Sequence, residues 1–393
     1  MLDVESANFV FPNEKHVYWT VMIVLYPYIT GLVAGAFIVS SLYHLFQKQE
    51  LRTMARFALV ASFVFLLFAP LPLLMHLGMP HRAFNIMITP HPTSAMAGFG
   101  VVYLSYLILV ALEVWFSVRE DLVNNALKGG KIKRLIFKIL ALGDLTINEE
   151  TRALDHKVVR VLSAIGIPLA CFLHGYVGFL FGSIKANPWW STPLMFIIFL
   201  LSAIVSGISV LLFLFYLISW LRKVPYEDGV MRVLAGYLWG FLIIDVALEI
   251  MEVLSIAYEQ MPEWQVLSYL IWHKLFFSYI VVQNLIGSFV PLILLALVNL
   301  TRLSNRLAHL FVFLSSVLVL IQVLAMRWNV VIGGQLLSKS FRGFTSYFPG
   351  LFEKEGLITA MIIFTIPFLL LRWIDKRINL FPPDSPLGQA RSG

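Results

Sequence analysis

Residues 230–256 read VMRVLAGYLWGFLIIDVALEIMEVLSI, an apolar run interrupted by Asp245, Glu249 and Glu252. About 20 apolar residues in helical conformation cross the hydrocarbon core of a bilayer, so this run is long enough to span. The spacing i, i+4, i+7 stacks the three carboxylates along one helical face. An ionised carboxylate at the bilayer centre costs roughly 2.5–3.5 kcal/mol on insertion scales, so the stripe is expected to face other protein rather than lipid. A helix with that requirement needs neighbours. Eight further runs supply them, near 17–46, 54–76, 94–116, 158–182, 192–221, 270–298, 307–331 and 356–374. The predicted fold is all-α, a polytopic transmembrane helix bundle of about nine spans, with a tenth allowed because 257–298 is long enough to hide a re-entrant segment.

Composition agrees. The 393 residues are 59% hydrophobic and 13% charged, which leaves no room for a large soluble domain, and 1–393 reads as a single integral membrane domain. The acidic start Met1-Leu2-Asp3-Val4-Glu5 lacks the basic region of a signal peptide, so the first span is expected to be retained. The single Cys171 cannot by itself hold a zinc site or an iron–sulfur cluster. The net charge of +7 does not indicate nucleic acid, because the cations fall in short loops at span ends and form no stripe interleaved with aromatics. With the first end placed outside, 21 of the 29 Lys and Arg fall on the cytoplasmic side and 8 on the other. The expected orientation in the cell (inner) membrane therefore has the N-terminus outside and the C-terminus inside. The basic connection 117–157 is expected on the inner surface, with 131–142 as a short amphipathic helix, and the tail 375–393 is expected to end flexibly.

Other polar groups at membrane depth are candidates for chemistry. His174-Gly175-Tyr176 lies about 12 Å from the helix end at Gly182, a depth suited to a quinone headgroup. Its imidazole can bond a ring oxygen and exchange a proton, or be satisfied by a helix carbonyl. The loop 76–94 carries His76, His81, Arg82 and His91 among three prolines, more donors than the capping of the next helix by Thr93-Ser94 requires. Tyr26, followed by Pro27, Gly31 and Gly35, either lines a pocket or marks close helix packing. Arg327 opens the run Arg327-Trp328-Asn329-Val330-Val331-Ile332-Gly333-Gly334-Gln335. Together with His273, Gln283, Asn284 and Gln322 it can extend a polar path from the carboxylate stripe, or serve interhelical hydrogen bonding. Glu113 and His44 are expected to snorkel to the interface.

Four of these segments carry a resemblance: 77–82 (Leu-Gly-Met-Pro-His-Arg), His91-Pro92-Thr93-Ser94, His174 to Phe179, and Arg327 to Gln335. On them the chain resembles the polysulfide-reductase-type NrfD/PsrC family of integral membrane proteins, most closely its DsrP branch in DsrMKJOP complexes, with QrcD and HybB similar. The resemblance implies a bundle with no haem, iron–sulfur cluster or metal of its own. It also implies that menaquinol or menaquinone binds near the outer face, and that electrons pass to a docked ferredoxin-like iron–sulfur subunit among other redox subunits of a Dsr-type, sulfur-metabolising complex. It further implies a proton path, for which Asp245, Glu249, Glu252, His273 and Arg327 are the candidates. The quinone candidates are His174, His76, Arg82, His91, Tyr26 and Tyr176. The chain departs from the family at His76 and Met79, where many relatives carry Asp and Arg, and at Tyr26, near a pocket histidine of the polysulfide-reductase branch. A secondary transporter, a bis-histidine cytochrome using His76, His174 or His273, and a purely structural anchor are the competing readings.

Overall fold

The computed structural model describes residues 9–128, 130–259 and 262–390; the acidic start and Gly129 of the basic connection lie outside them. Ten helices among the described residues frame the molecule. They are α1 (Val21–His44), α2 (Gln49–His76), α3 (Ala95–Lys128), α4 (Lys131–Leu140), α5 (Glu149–Gly182), α6 (Met195–Arg222), α7 (Asp228–Glu259), α8 (Phe276–Leu300), α9 (Asn305–Leu336) and α10 (Leu357–Asp375). Eight of them are long and apolar enough to cross a membrane, and α7, with 32 residues, is the helix of the carboxylate stripe. Among the described residues between α7 and α8 there is a short helix, Pro262–Tyr269, and no tenth span.

Two groups of four helices make up the bundle. In the first, α1 packs on α2 and α5, and α3 packs on α2 and α5; in the second, α6, α7, α8 and α9 surround one another. The groups meet where α1 runs against α6 and α9 and α5 against α6, while α10 covers α1 and α2. Helix α1 is therefore buried without a break from Val21 to Phe37. Lipid-facing surface is legible as one-sided exposure: Val101, Leu104, Ile108 and Leu112 of α3 all point outward at helical spacing.

Two elements are longer than the apolar runs predict. Helices α3 and α5 have 34 residues each, about 51 Å, and project beyond any hydrocarbon layer. Their projecting ends are held together by Arg119, which reaches Asp155 at 2.9 Å and Asp144 at 2.7 Å, and by Arg152 with Glu120 at 2.7 Å. The connection is correspondingly shorter than 117–157. Within it α4 packs Phe137 inward and leaves Leu135, Ile136 and Ile139 exposed, the amphipathic helix read from the pattern.

The tail also departs from expectation. Phe381 is buried and stacks on Phe57 with ring centroids 5.1 Å apart, Leu380 and Leu387 are buried, and Arg52 binds Asp384 at 2.6 Å. Prolines 382, 383 and 386 suggest a loose end, yet the apolar residues that flank them find a seat at the bundle's Arg222 end. At the opposite end, residues 9–20 pack on the last turn of α9 and the segment after it, with Gln335 bonding both the Trp19 amide at 2.9 Å and its carbonyl at 3.0 Å.

Candidate functional site

Small residues bring the two helix groups into contact at the level of His174. A methyl group added at Gly35 would lie 2.6 Å from the Gly207 Cα, so these glycines let α1 and α6 touch backbone to backbone. One turn along, Gly31 faces Ser206, and a methyl group added there would lie 3.2 Å from the Ser206 hydroxyl oxygen and 3.6 Å, an ordinary contact, from Cε1 of the His174 ring. His174 is fully buried on α5. Across the seam its Nε2 lies 3.3 Å from Nη2 of Arg327 on α9, which also donates to the Ser202 hydroxyl at 2.7 Å. The guanidinium sits 3.8 Å above the Phe199 ring, a cation–π contact that offsets part of the cost of burying the charge. The other histidine nitrogen, Nδ1, has no hydrogen-bond partner among the described residues.

Behind Arg327 lie the α7 carboxylates. Asp245 is fully buried, and among the described residues neither of its oxygens is hydrogen-bonded and no ion pair joins it to Arg327. Glu249, one turn on, accepts from Gln283 at 3.0 Å and from Gln322 at 3.3 Å. Gln283 in turn accepts from Asn329 at 2.8 Å, and Asn329 from Ser278 at 2.6 Å. This network depends on local geometry, because Phe276–Phe289 of α8 and Asn329–Gly333 of α9 are both π-helical. A wider turn shifts the side chains around the axis and loosens the carbonyl ladder. The indole N–H groups of Trp189 and Trp190 bond the carbonyls of Asn329 and Val330, at 3.0 and 2.6 Å. Glu252 lines a cleft of about 40 Å³ with Glu249, Trp189 and Tyr279.

The structure thus joins four of the predicted residues, His174, Arg327, Asp245 and Glu249, with Glu252 at the edge. It separates the others. His76 pairs with Glu355 at 2.8 Å, and Glu355 also accepts from Thr20 at 2.5 Å, a cluster at the start of α1. Arg82 and His91 are exposed on the loop, His91 engaging Thr93 at 2.9 Å, so neither is gathered with His174. Tyr176 donates to the Ala95 carbonyl at 2.7 Å, and Tyr26 packs edge-on against Phe99 with its hydroxyl buried and unpartnered. His273 is exposed and stacked on Tyr269 with centroids 4.1 Å apart, which removes it from the carboxylate path. Three histidines with three different partners also give the bis-histidine reading no support. Glu113, expected at the interface, is fully buried against Ser163. Sequence reasoning missed Ser202, Phe199 and Glu355; the first two look like ordinary span residues, and Glu355 is 279 positions from His76.

These features define an integral multi-pass membrane protein with an ionisable interior, its buried cation and carboxylates in one helix group and the histidine that meets the cation in the other. The match to known proteins is more specific. Residues 10–338 fit the family described as polysulphide reductase, NrfD. A selenate reductase subunit of Mesobacillus selenatarsenatis is 30% identical over 378 residues, 91% of this chain and 87% of that protein. A putative dimethyl sulfoxide reductase membrane subunit from Halobacterium salinarum is 27% identical over 72% of this chain and 62% of its own length. Protein NrfD of Escherichia coli is 26% identical over 49% of this chain and 58% of its own. The chain belongs to the NrfD family.

Proposed function

We propose that this chain is the quinone-reactive membrane subunit of a reductase complex, exchanging electrons between menaquinol and an iron–sulfur subunit docked at the Trp19 end. The observation that carries the reading is a pair of buried, unpartnered polar atoms, Tyr26 Oη and His174 Nδ1, on the walls where α1 meets α3 and α5. Leaving a polar group unsatisfied costs about 1–3 kcal/mol, so one such group on α1 and one on the neighbouring α5 suit a bound molecule with oxygen atoms of its own. A quinol fits that description: its hydroxyls can bond Tyr26 and His174, and it supplies two electrons. Arg327 holds the His174 ring from the other side. Asp245 and Glu249 are placed to take up and release protons in the second helix group. The His76–Glu355 pair, in place of the carboxylate many relatives carry on the loop, is a proton acceptor at the outer mouth.

The orientation follows from charge, with the basic Arg222 end cytoplasmic and the Trp19 end outside the cytoplasmic membrane. Selenate and dimethyl sulfoxide in the relatives' names, and the sulfur chemistry of the Dsr branch, point to an oxidised chalcogen compound as the complex's terminal acceptor. Binding is tested directly with the purified chain and menadione, read by quenching of tryptophan fluorescence. Tyr26→Phe and His174→Ala should each weaken binding at least tenfold. Equal affinity in both variants would remove the proposed pocket.

A further inference from the structure

The outward face of α4 is accounted for by neither helix group. Leu135, Ile136 and Ile139 fall within an arc of about 100° on this helix, centred about 150° from Phe137, the side chain it buries, so its apolar face turns away from the protein. Leu142, just past the helix, is 78% exposed although it holds φ at +54°, a conformation in which a bulky side chain is uncommon. Lys131, Arg134 and Lys138 are exposed along the flank of this face. Between Asp121 and Asp144 the sequence holds five cations and no carboxylate. An apolar face with a basic flank is the make-up of a helix that rests on a membrane.

The seat of α4 on α3 identifies what covers that face. The outward-pointing strip of Val101, Leu104, Ile108 and Leu112 continues on the same face of α3 with Trp115 and Arg119. There α4 covers it: the Trp115 indole donates to the Leu140 carbonyl at 2.8 Å, and Arg119 lies over the Trp115 ring and pairs with Asp144. From Lys131 the chain therefore returns along α3 towards its lipid-facing part, and Leu140 stops beside Trp115, about 4.5 Å of helix axis from Leu112. At 1.5 Å per residue, Lys138, Arg134 and Lys131 stand about 3, 9 and 14 Å farther from the hydrocarbon. A headgroup layer is roughly 5–7 Å deep, so the first two cations lie within reach of lipid phosphates. An acidic protein surface would match the cations but not an apolar end set level with lipid-facing leucines. We propose that α4 is a docking helix for anionic phospholipid: Leu135, Ile139 and Leu142 enter the leaflet at the basic end of the bundle, and Arg134 and Lys138 bind lipid phosphates. Through Trp115, and through Arg119 with Asp155 of α5, the lipid contact braces the projecting ends of the first helix group. The proposal stands apart from the quinone reading.

The test follows hydrogen–deuterium exchange of the backbone of residues 131–142 in the full chain, purified in mild detergent and titrated with phosphatidylglycerol or phosphatidylcholine. Phosphatidylglycerol should slow the exchange and phosphatidylcholine should not, and the difference should shrink as salt is raised. Arg134→Gln should raise the half-saturating phosphatidylglycerol concentration about fivefold, the contribution of one cation near an anionic surface. The triple variant Lys131→Gln, Arg134→Gln, Lys138→Gln should lose the protection while melting at the wild-type temperature in detergent, because all three side chains are exposed. Equal protection by the two lipids, or an unchanged response in the triple variant, overturns the proposal. Protection by glycerol 1-phosphate as strong as that by phosphatidylglycerol makes this a free-phosphate site and overturns lipid docking. Protection absent with both lipids but present in the intact complex assigns the face to a protein partner and overturns it as well.

Discussion

The Arg327 guanidinium and the His174 imidazole meet 3.3 Å apart in the fully buried seam between two helix groups, although 153 positions separate them in the chain. Among the described residues, neither has another ionisable group in hydrogen-bond contact. Arg327 is fixed by Ser202 and the Phe199 ring, and the histidine keeps one nitrogen free. The contact joins the proposed quinone pocket in one group to the carboxylates in the other.

Arg327→Ala should therefore be costly. Truncating one member of a buried polar pair typically destabilises by about 3–5 kcal/mol, because the remaining groups stay buried and unpaired. A clear fall in thermal unfolding temperature in detergent is expected. Arg327→Lys should unfold closer to wild type yet lose most turnover, since an ammonium cannot both lie flat on Phe199 and reach Ser202 and His174.

Gly35→Ala tests the seam itself. The added methyl would lie 2.6 Å from the Gly207 Cα and from the Ala203 carbonyl, both backbone atoms that cannot rotate away. Overpacking of this kind costs about 1–3 kcal/mol. Thermal unfolding should show it, and menadione affinity should fall with it because Gly31 and His174 lie on the same seam.

The packed tail gives two outcomes. Phe381→Ala removes a buried ring and should destabilise by about 3–5 kcal/mol, exposing residues beyond Asp375 to protease. The Asp384 carboxylate is exposed, and the hydrogen bond from Arg52 holds it below the usual carboxylate range. A depressed value means that the contact stabilises the tail above the ordinary carboxylate pKa and is lost as pH falls through the lower folded one. Protease resistance of the tail should therefore hold from neutral pH through the ordinary carboxylate range and fail only below it. Asp384→Asn should remove that acid step.

Much of the bundle was legible because one feature, apolar length, sets a span in a bilayer. Among the described residues, the nine long helices other than α4, the inward-facing stripe of Asp245 and Glu249, and the amphipathic α4 all follow from period and composition. Helix ends were not legible where helix continues past the hydrocarbon layer: α3 and α5 extend through polar residues whose ion pairs form only in three dimensions. The proline-bearing tail misled for a related reason, since its seat on Phe57 is built by other segments. Arg327 and His174 stood out as polar groups at depth, but their pairing depends on glycines in two further helices. Nothing near Glu355 marks it as the partner of His76. Exposure of Arg82 and His91 was equally hidden, because a loop rich in donors reads the same whether it folds inward or outward.

The most direct measurement of the central claim is electron transfer itself. The complex is purified from its native membrane in mild detergent, menadiol is added, and iron–sulfur signals are followed by electron paramagnetic resonance. Reduction of clusters on a co-purifying subunit is expected, abolished by His174→Ala in a complex that remains assembled. Clusters that reduce at the wild-type rate in His174→Ala, or a chain that purifies with no redox subunit and takes no electrons from menadiol, would contradict it.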